Sequence, residues 1–312
     1  MNVLSLFDGI SGAYQALKNI NLKINKYYTS EVDKHAIQIA YKNHPDIIQL
    51  GDINNININS LPNIDLLIGG SPCQDLSIAK SNRKGLKGSK SQLFFKFLEI
   101  KTKIKPKYFI LENVASMSND SMQKITELIG VYPIMINSSL LTAQSRKRLY
   151  WTNIKAVQPF DKKICLKDIL ENGYIDRLKS FCITATYYKG INLKDYFLRK
   201  KRQIVFEEPI QLGYLKTDFR GRRVFVIEGK SPALLTGNNI YINMDGMNIR
   251  KLTPIECERL QGYPDDYTKG ISNTQRYKCL GNSFTVPVIE HILKCEFVEG
   301  YREQFITQLD LF

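Results

Sequence analysis

Short apolar runs at residues 3–7, 26–30, 47–50, 64–68, 108–111 and 131–137 punctuate the first half of the chain. Between several of them lie stretches of helical length, at 13–20, 35–43, 92–103 and 121–130, whose apolar positions recur at 3.6-type spacing. The runs predict short buried strands and the stretches predict crossover helices, so the pattern is that of an α/β domain with a mostly parallel, doubly wound sheet. Right-handed crossovers place the loops that follow these strands along one sheet edge, where such folds present ligands and reactive groups. A further run at 149–154 closes the regular part, and the polar Asn/Ile stretch at 53–60 reads as a loop.

From 158 to 248 the pattern changes to shorter β-like segments, at 181–188, 203–206, 224–227 and 240–244, with polar and glycine turns between them. This predicts a smaller, β-rich second lobe. The expected division is a first domain made of residues 1–157 and 279–312, and a second made of 158–278.

Composition narrows the partners. A chain of 312 residues accommodates a large domain with a smaller companion, and its net charge of +14 favours a polyanion or an anionic surface. Between residues 161 and 250 stand 17 basic and 10 acidic residues, half of the net charge in under a third of the chain. No apolar stretch reaches transmembrane length, and the start runs into a strand without a basic signal region, which predicts a soluble, cytoplasmic protein. The six cysteines and three histidines show no metal-ligand spacing, so neither disulfides nor a metal is expected.

Three pieces carry candidate chemistry. Cys73, in Pro72-Cys73-Gln74, follows the apolar run 64–68 and a turn of Gly69, Gly70 and Ser71, and precedes a stretch, 79–92, with five basic residues and no acidic one. A thiol in such surroundings ionises easily, whereas an isolated cysteine is ordinarily a small buried hydrophobe. Glu112 follows the run at 108–111, and Arg146 and Arg148 precede the run at 149–154. Singly, these would serve as a helix cap, an ion pair or a solvated strand edge. A thiol, a carboxyl and two guanidiniums at the ends of separate strands together form a reaction centre.

In this order, Pro72-Cys73-Gln74, Glu112-Asn113-Val114 and Gln144-Ser145-Arg146-Lys147-Arg148 resemble the ordered blocks of the DNA (cytosine-5) methyltransferases. Further blocks resemble the same family: Leu6 to Gly12, with Ser11 where many members carry glycine; Arg250 to Thr253 with Glu256, Arg259, Leu260, Gln261, Gly262 and Pro264; and Gly281-Asn282-Ser283 with Val286 and Val288. The amino-terminal blocks are most similar to the catalytic domain of vertebrate de novo methyltransferases, although the chain has the proportions of a stand-alone microbial or phage-type enzyme. Only residues 160–249 lack a family pattern.

The resemblance implies a Rossmann-like fold that binds S-adenosyl-L-methionine and releases S-adenosyl-L-homocysteine, with 286–297 returning to pack beside the first strand. It implies that Phe7 lies against adenine, that Glu31 accepts from the ribose hydroxyls and Asp52 from the adenine amine, and that Val32, Ile53 and Leu93 line the adenosine pocket. Asp8, Gly9, Ile10 and Pro72 complete the cofactor side, with Asn282 and Ser283 at the methionine end. It further implies that Cys73 adds to carbon-6 of a flipped cytosine in duplex DNA, that Glu112 holds N3 and the exocyclic amine, and that Arg148 bonds O2 with Arg146 nearby. The loop with Gln74, Ser77, Arg83 and Lys84 would close over the base. Thr184 and Thr186, or Thr236, would lie near the target, and Arg220, Arg222 and Arg223 would contact phosphates.

A monomer acting on double-stranded DNA follows, with a cognate restriction endonuclease as a companion the resemblance allows. Two relatives of the same fold are the alternatives: a tRNA cytosine-5 methyltransferase, against which Ser71 speaks because that branch carries a second proline there, and a regulatory DNA-binding homologue without catalysis, against which the retained Cys73, Glu112, Arg146 and Arg148 speak. A zinc deaminase is excluded by the absence of its His-x-Glu and Cys-x-x-Cys signatures.

Overall fold

The computed structural model describes residues 1–71, 92–207, 211–215, 222–225 and 248–309. Seven strands, β1 (Asn2–Leu6), β2 (Lys26–Ser30), β3 (Ile48–Gln49), β4 (Leu66–Gly70), β5 (Tyr108–Val114), β6 (Ile134–Asn137) and β7 (Lys147–Thr152), form one sheet. Their order is β3-β2-β1-β4-β5-β7-β6. β1 to β5 pair in parallel, while β7 runs antiparallel to β5 and to β6. The ends of β4 and β5 and the start of β7 therefore meet at one edge.

Alternation along the strands explains why they stay buried on both faces. Val3, Leu66, Ile68 and Ile110 enter one core together with α1 (Gly12–Asn19), α2 (Lys34–Asn43) and α8 (Val286–Phe297). Leu4, Leu6, Leu67, Phe109 and Leu111 enter the other, against α3 (Gln92–Ile104) and α4 (Asn119–Ile129). Asp33 caps α2 by accepting from the His35 and Ala36 amides, and Ser118 caps α4 through Ser121. α8 lies against α1, with Asn19 bonded to Glu290.

The first core continues into the later part of the chain, through Leu166, Ile169, Ile183, Tyr187, Val205, Leu252, Cys257 and Leu260. Here lie α5 (Leu193–Arg199), the short pair β8 (Ile204–Phe206) with β11 (Ile249–Lys251), the pair β9 (Gln211–Leu215) with β10 (Arg222–Phe225), and α6 (Pro254–Gln261) and α7 (Asn273–Asn282). A small satellite core of Tyr196, Ile204 and Phe206 stands apart. α9 (Glu303–Leu309) ends the described chain.

Several boundaries differ from expectation for local reasons. The run at 131–137 forms a strand only from Ile134, because Pro133 has no amide hydrogen to donate. Residues 181–188 form no strand: they are an irregular segment closed by a 3₁₀ turn at Tyr187–Lys189. The expected strand at 240–244 lies outside the described residues. The expected division at 278–279 falls inside α7, and α6 begins with a reciprocal cap in which Thr253 accepts from the Glu256 amide while Glu256 accepts from that of Thr253. No described helix is long and apolar enough to cross a membrane.

His44, at the end of α2, carries a stability prediction. Its Nε2 lies 3.0 Å from the Tyr267 hydroxyl, which donates onward to the Ile10 carbonyl, so the ring nitrogen is the donor. Its Nδ1 is buried without a partner among the described residues. Burial, reinforced by Lys18, pushes the imidazole down from 6.5 to about 4. The unfolded chain therefore binds the proton first, and the stability contributed by neutral His44 is complete above pH 6.5 and lost as pH falls toward about 4. Urea titrations from pH 7 to pH 4 should show His44→Gln losing stability less steeply than the parent, by up to about 1.4 kcal/mol per pH unit within that window. Equal slopes would contradict the assignment.

Candidate active site

β4 and β5 deliver their last residues side by side, with Gly70 paired to Glu112. Gly70 has to be small: a Cβ there would press on the Phe284 ring at 3.0 Å and stand 3.4 Å from Glu112 Oε2. On the far side, Val114 of β5 pairs with Arg148 of β7, and Glu112 with Tyr150, so Glu112 and Arg148 are diagonal neighbours on one face. Their side chains meet, with Arg148 Nε 2.9 Å from Glu112 Oε1, and both are about one-seventh exposed. Arg148 also donates to the Lys147 carbonyl at 2.9 Å. A carboxylate and a guanidinium held at a sheet edge in this way present a paired acceptor and donor to a planar polar ligand.

Asn113, the next residue of β5, is only 1 % exposed. Its Nδ2 donates to the Ser71 hydroxyl at 3.0 Å and to the Ser71 carbonyl at 3.4 Å, while its own Oδ1 accepts from the Val114 amide. The residue before Pro72 is thus tied to the strand that carries Glu112. Pro72, Cys73, Gln74, Ser77, Arg83 and Lys84 lie outside the described residues.

Arg146 departs from the expectation that it stands beside Arg148 at the base. It is 5 % exposed. Its Nη1 donates to the carbonyls of Ile183 at 3.1 Å and Gly281 at 3.3 Å, and its Nη2 to those of Gly281 at 3.4 Å and Ser283 at 3.1 Å. Nε has no partner among the described residues. Gln144, two positions earlier, accepts from the Ile183 amide at 2.7 Å and donates to Gln261, which in turn donates to the Leu280 carbonyl and accepts from Thr285. Sequence reasoning passed over Gln144, Gln261 and Asn113 as contacts. The alternate spacing of 144, 146 and 148 was the available sign that all three face one way.

Along the same edge, the loop after β1 bends through left-handed backbone at Phe7, Gly9 and Ser11, at φ +57°, +59° and +58°. Among the described residues, a side chain on Gly9 would meet nothing within 4 Å, and the same holds at Gly51 after β3. Glu31, at the end of β2, accepts from the Gly9 amide at 2.8 Å and from those of Val32 and Asp33 at 2.7 and 2.9 Å. These bonds aim its carboxylate at the loop. Val32 beside it is 70 % exposed, an apolar surface at an acidic edge. Gln49 holds the two loops in register by accepting from the amides of Glu31 and Gly51.

Other residues expected on the cofactor side fall into different roles. Asp8 is 2 % exposed, and its carboxylate accepts from the hydroxyls of Ser5, Ser11, Tyr27 and Thr29. Burial pushes this carboxyl up, and the four hydroxyls oppose the shift. Asp8 ties the loop to β1 and β2, and neither it nor the buried Ile10 offers a side chain to the open edge. Asp52 caps a 3₁₀ turn at Ile53–Asn55 by accepting from Asn54, and Ile53 is buried beneath it. Leu93 is half-buried on α3, and Asn282 is exposed while Ser283 is buried and bonded to the Leu280 carbonyl.

Of the residues expected to meet the target, Thr184 and Thr186 are exposed with their hydroxyls 3.1 Å apart. The Thr184 backbone packs where a Cβ on Gly281 would stand, so this segment touches the Gly281-Asn282-Ser283 turn directly. Arg222 and Arg223 lie on β10, whereas Arg220 and Thr236 are outside the described residues. Among the described residues no group of three or more His, Cys, Asp or Glu could hold a metal ion.

Comparison with known proteins agrees with this arrangement. The family of C-5 cytosine-specific DNA methylases matches residues 1–296. The type II methyltransferase M.NlaX of Neisseria lactamica is 28 % identical over 307 residues, which span 93 % of this chain and 94 % of that protein. The orphan methyltransferase M.SPRI of Bacillus phage SPR is 27 % identical, over 96 % of this chain and 98 % of that one. Among solved structures, the Entamoeba histolytica methyltransferase EhMeth shares the fold, with a TM-score of 0.70 at 19 % identity over 95 % of this chain and 97 % of that chain. With a family match that spans nearly its whole length, the chain belongs to the C-5 cytosine-specific DNA methylases.

Proposed function

We propose that this enzyme methylates carbon-5 of a cytosine swung out of a specific duplex DNA sequence, through a transient bond between Cys73 and carbon-6. The observation that carries the reading is the Glu112–Arg148 pair, at the sheet edge where β4 leads into Ser71 and the Pro72-Cys73-Gln74 segment. Carbon-5 of cytosine is a weak nucleophile until the ring loses its aromaticity. The Cys73 thiolate forms a sulfur–carbon bond at carbon-6, Glu112 supplies a proton to N3 as charge builds there, and Arg148 bonds O2. S-adenosylmethionine, when bound, supplies the methyl group to the activated carbon-5. A base then takes the carbon-5 proton, the electron pair left behind re-forms the carbon-5–carbon-6 double bond as the Cys73 thiolate leaves, and N3 returns its proton to Glu112.

The residues at the neighbouring edge fit that cofactor. Glu31, fixed by three amides, would accept from the ribose hydroxyls; the exposed Val32, with Phe7, Ile53 and Leu93, would cover the adenine; Asp52 would accept from its amine. Gly9, Pro72, Asn282 and Ser283 would complete the pocket. We assign cofactor binding and chemistry to residues 1–157 and 279–312 and target recognition to 158–278, where Thr184 and Thr186 would flank the target base and Arg220, Arg222 and Arg223 would contact phosphates. Gln74, Ser77, Arg83 and Lys84 would cover the flipped base, and Thr236 would reach the DNA beside it. The enzyme would act as a cytoplasmic monomer, with a cognate restriction endonuclease as its companion.

Cytosine-conversion sequencing of plasmid DNA from cells expressing the chain should reveal protected cytosines in one recurring context, absent with Cys73→Ala, while that variant still retards DNA in gel-shift assays. Protection that survives Cys73→Ala would overturn the mechanism. On the cofactor side, Glu31→Ala should weaken S-adenosylhomocysteine binding in calorimetry by about 2 kcal/mol, roughly 30-fold, without changing the melting temperature by more than a few degrees. An unchanged dissociation constant would remove Glu31 from the site.

A further inference from the structure

Arg146 spends its guanidinium mainly on backbone carbonyls, with one longer side-chain contact from Nη1 to Cys182 Sγ at 3.5 Å, and the backbone it holds belongs to two functional segments. On one side it binds the Ile183 carbonyl, which leads into the exposed Thr184 and Thr186. On the other it binds the carbonyls of Gly281 and Ser283, which flank the exposed Asn282. Its own backbone is pinned as well: its amide donates to Asn137 Oδ1 at 3.0 Å and its carbonyl accepts from the Ser138 amide at 3.0 Å. Movement of either segment is therefore not absorbed by a shift of the Arg146 backbone within its own hairpin. The two segments also touch, since Thr184 backbone fills the space beside Gly281.

Ile183 has its two backbone groups held by different residues. Its amide goes to Gln144 and its carbonyl to Arg146. Gln144 continues through Gln261 to the Leu280 carbonyl, so a second path runs between the same segments, but by way of α6 and not through the 281–283 turn itself. Among the described residues, only Arg146 bonds directly to both.

We propose that Arg146 is a positioning residue that couples occupation of the cofactor edge at Asn282 and Ser283 to the ordering of the target-facing segment 183–187. The coupling is reciprocal: a ligand that fixes the 281–283 turn in the orientation Arg146 prefers stabilises the Ile183–Thr184 peptide, and a target that orders Thr184 and Thr186 tightens the cofactor edge. A lysine retains the charge but lacks the planar fork whose two nitrogens reach Ile183 on one side and Ser283 on the other. The inference rests on the cofactor reading given above.

Amide hydrogen exchange with S-adenosylhomocysteine as the probe, without DNA, separates the two. In the parent chain the ligand should slow exchange both in the loop 8–12 and across 183–187, the latter by roughly 5-fold or more, the lower end of coupling between sites. In Arg146→Lys, protection of 8–12 should persist while the response at 183–187 disappears. Gln144→Ala, which frees the Ile183 amide but leaves Arg146 in place, should raise the basal exchange of 183–187 and keep the response to ligand. A response at 183–187 that survives Arg146→Lys, or that is lost in Gln144→Ala, would overturn the proposal, as would its absence in a parent chain whose 8–12 loop is protected. Should Arg146→Lys fail to fold, the parent and Gln144→Ala results still decide. If calorimetry shows that the parent chain binds no S-adenosylhomocysteine, the cofactor reading itself falls, and the coupling with it.

Discussion

Burying a guanidinium costs several kcal/mol unless acceptors replace the water it gives up. Arg146 finds those acceptors in the carbonyls of Ile183, Gly281 and Ser283, and that requirement shapes the surrounding chain. The peptides that serve it cannot pair with neighbouring strands through those carbonyls, so segment 181–188 stays irregular and the end of α7 turns sharply through Gly281-Asn282-Ser283. Both segments are brought against each other at a glycine, where any side chain would collide with Thr184. Removing the arginine would leave buried carbonyls unpaired, which is the costlier half of a hydrogen bond to lose.

The reaction centre depends on a plainer constraint, the geometry of a sheet in which the last pairing is reversed. Parallel β4 and β5 end where antiparallel β7 begins, so three chain segments contribute side chains to one edge. Glu112 and Arg148 reach each other because a diagonal step across an antiparallel pair is within the span of long side chains. Asn113, on the opposite parity, ties down Ser71. The same edge carries Glu31 and Gly9, so the surfaces assigned to cofactor and base are neighbours without any segment having to cross the sheet.

Much of this was legible from the chain alone, and the exceptions have physical causes. Strands 26–30 and 108–111 and helices 35–43 and 121–130 lie within a residue or a few of expectation, because burial on both faces demands continuous apolar runs and the helices carry caps such as Asp33 and Ser118. Segment 181–188, rich in aromatic and β-branched residues, read as a strand, yet Ile183 spends its amide on Gln144 and its carbonyl on Arg146. Asp8 read as a ligand contact because it sits in the loop, while two of its four hydroxyl donors, Tyr27 and Thr29, come from β2, which only the sheet brings beside it. Arg146 read as a reaction-centre residue near the base, since its acceptors are carbonyls 37 to 137 positions away and leave no mark in residue types.

The account turns on the sulfur–carbon bond between Cys73 and the target base, and a duplex carrying 5-fluorocytosine at the methylated position tests it most directly. Fluorine cannot leave carbon-5 as a proton does, so the reaction should halt after methyl transfer, at the elimination step, with the protein still attached. With S-adenosylmethionine present, a band that survives denaturing electrophoresis should form, and mass spectrometry of its peptides should place the nucleotide on Cys73. A duplex that is methylated normally when unfluorinated, yet forms no such adduct, or forms one at another residue, would contradict the account.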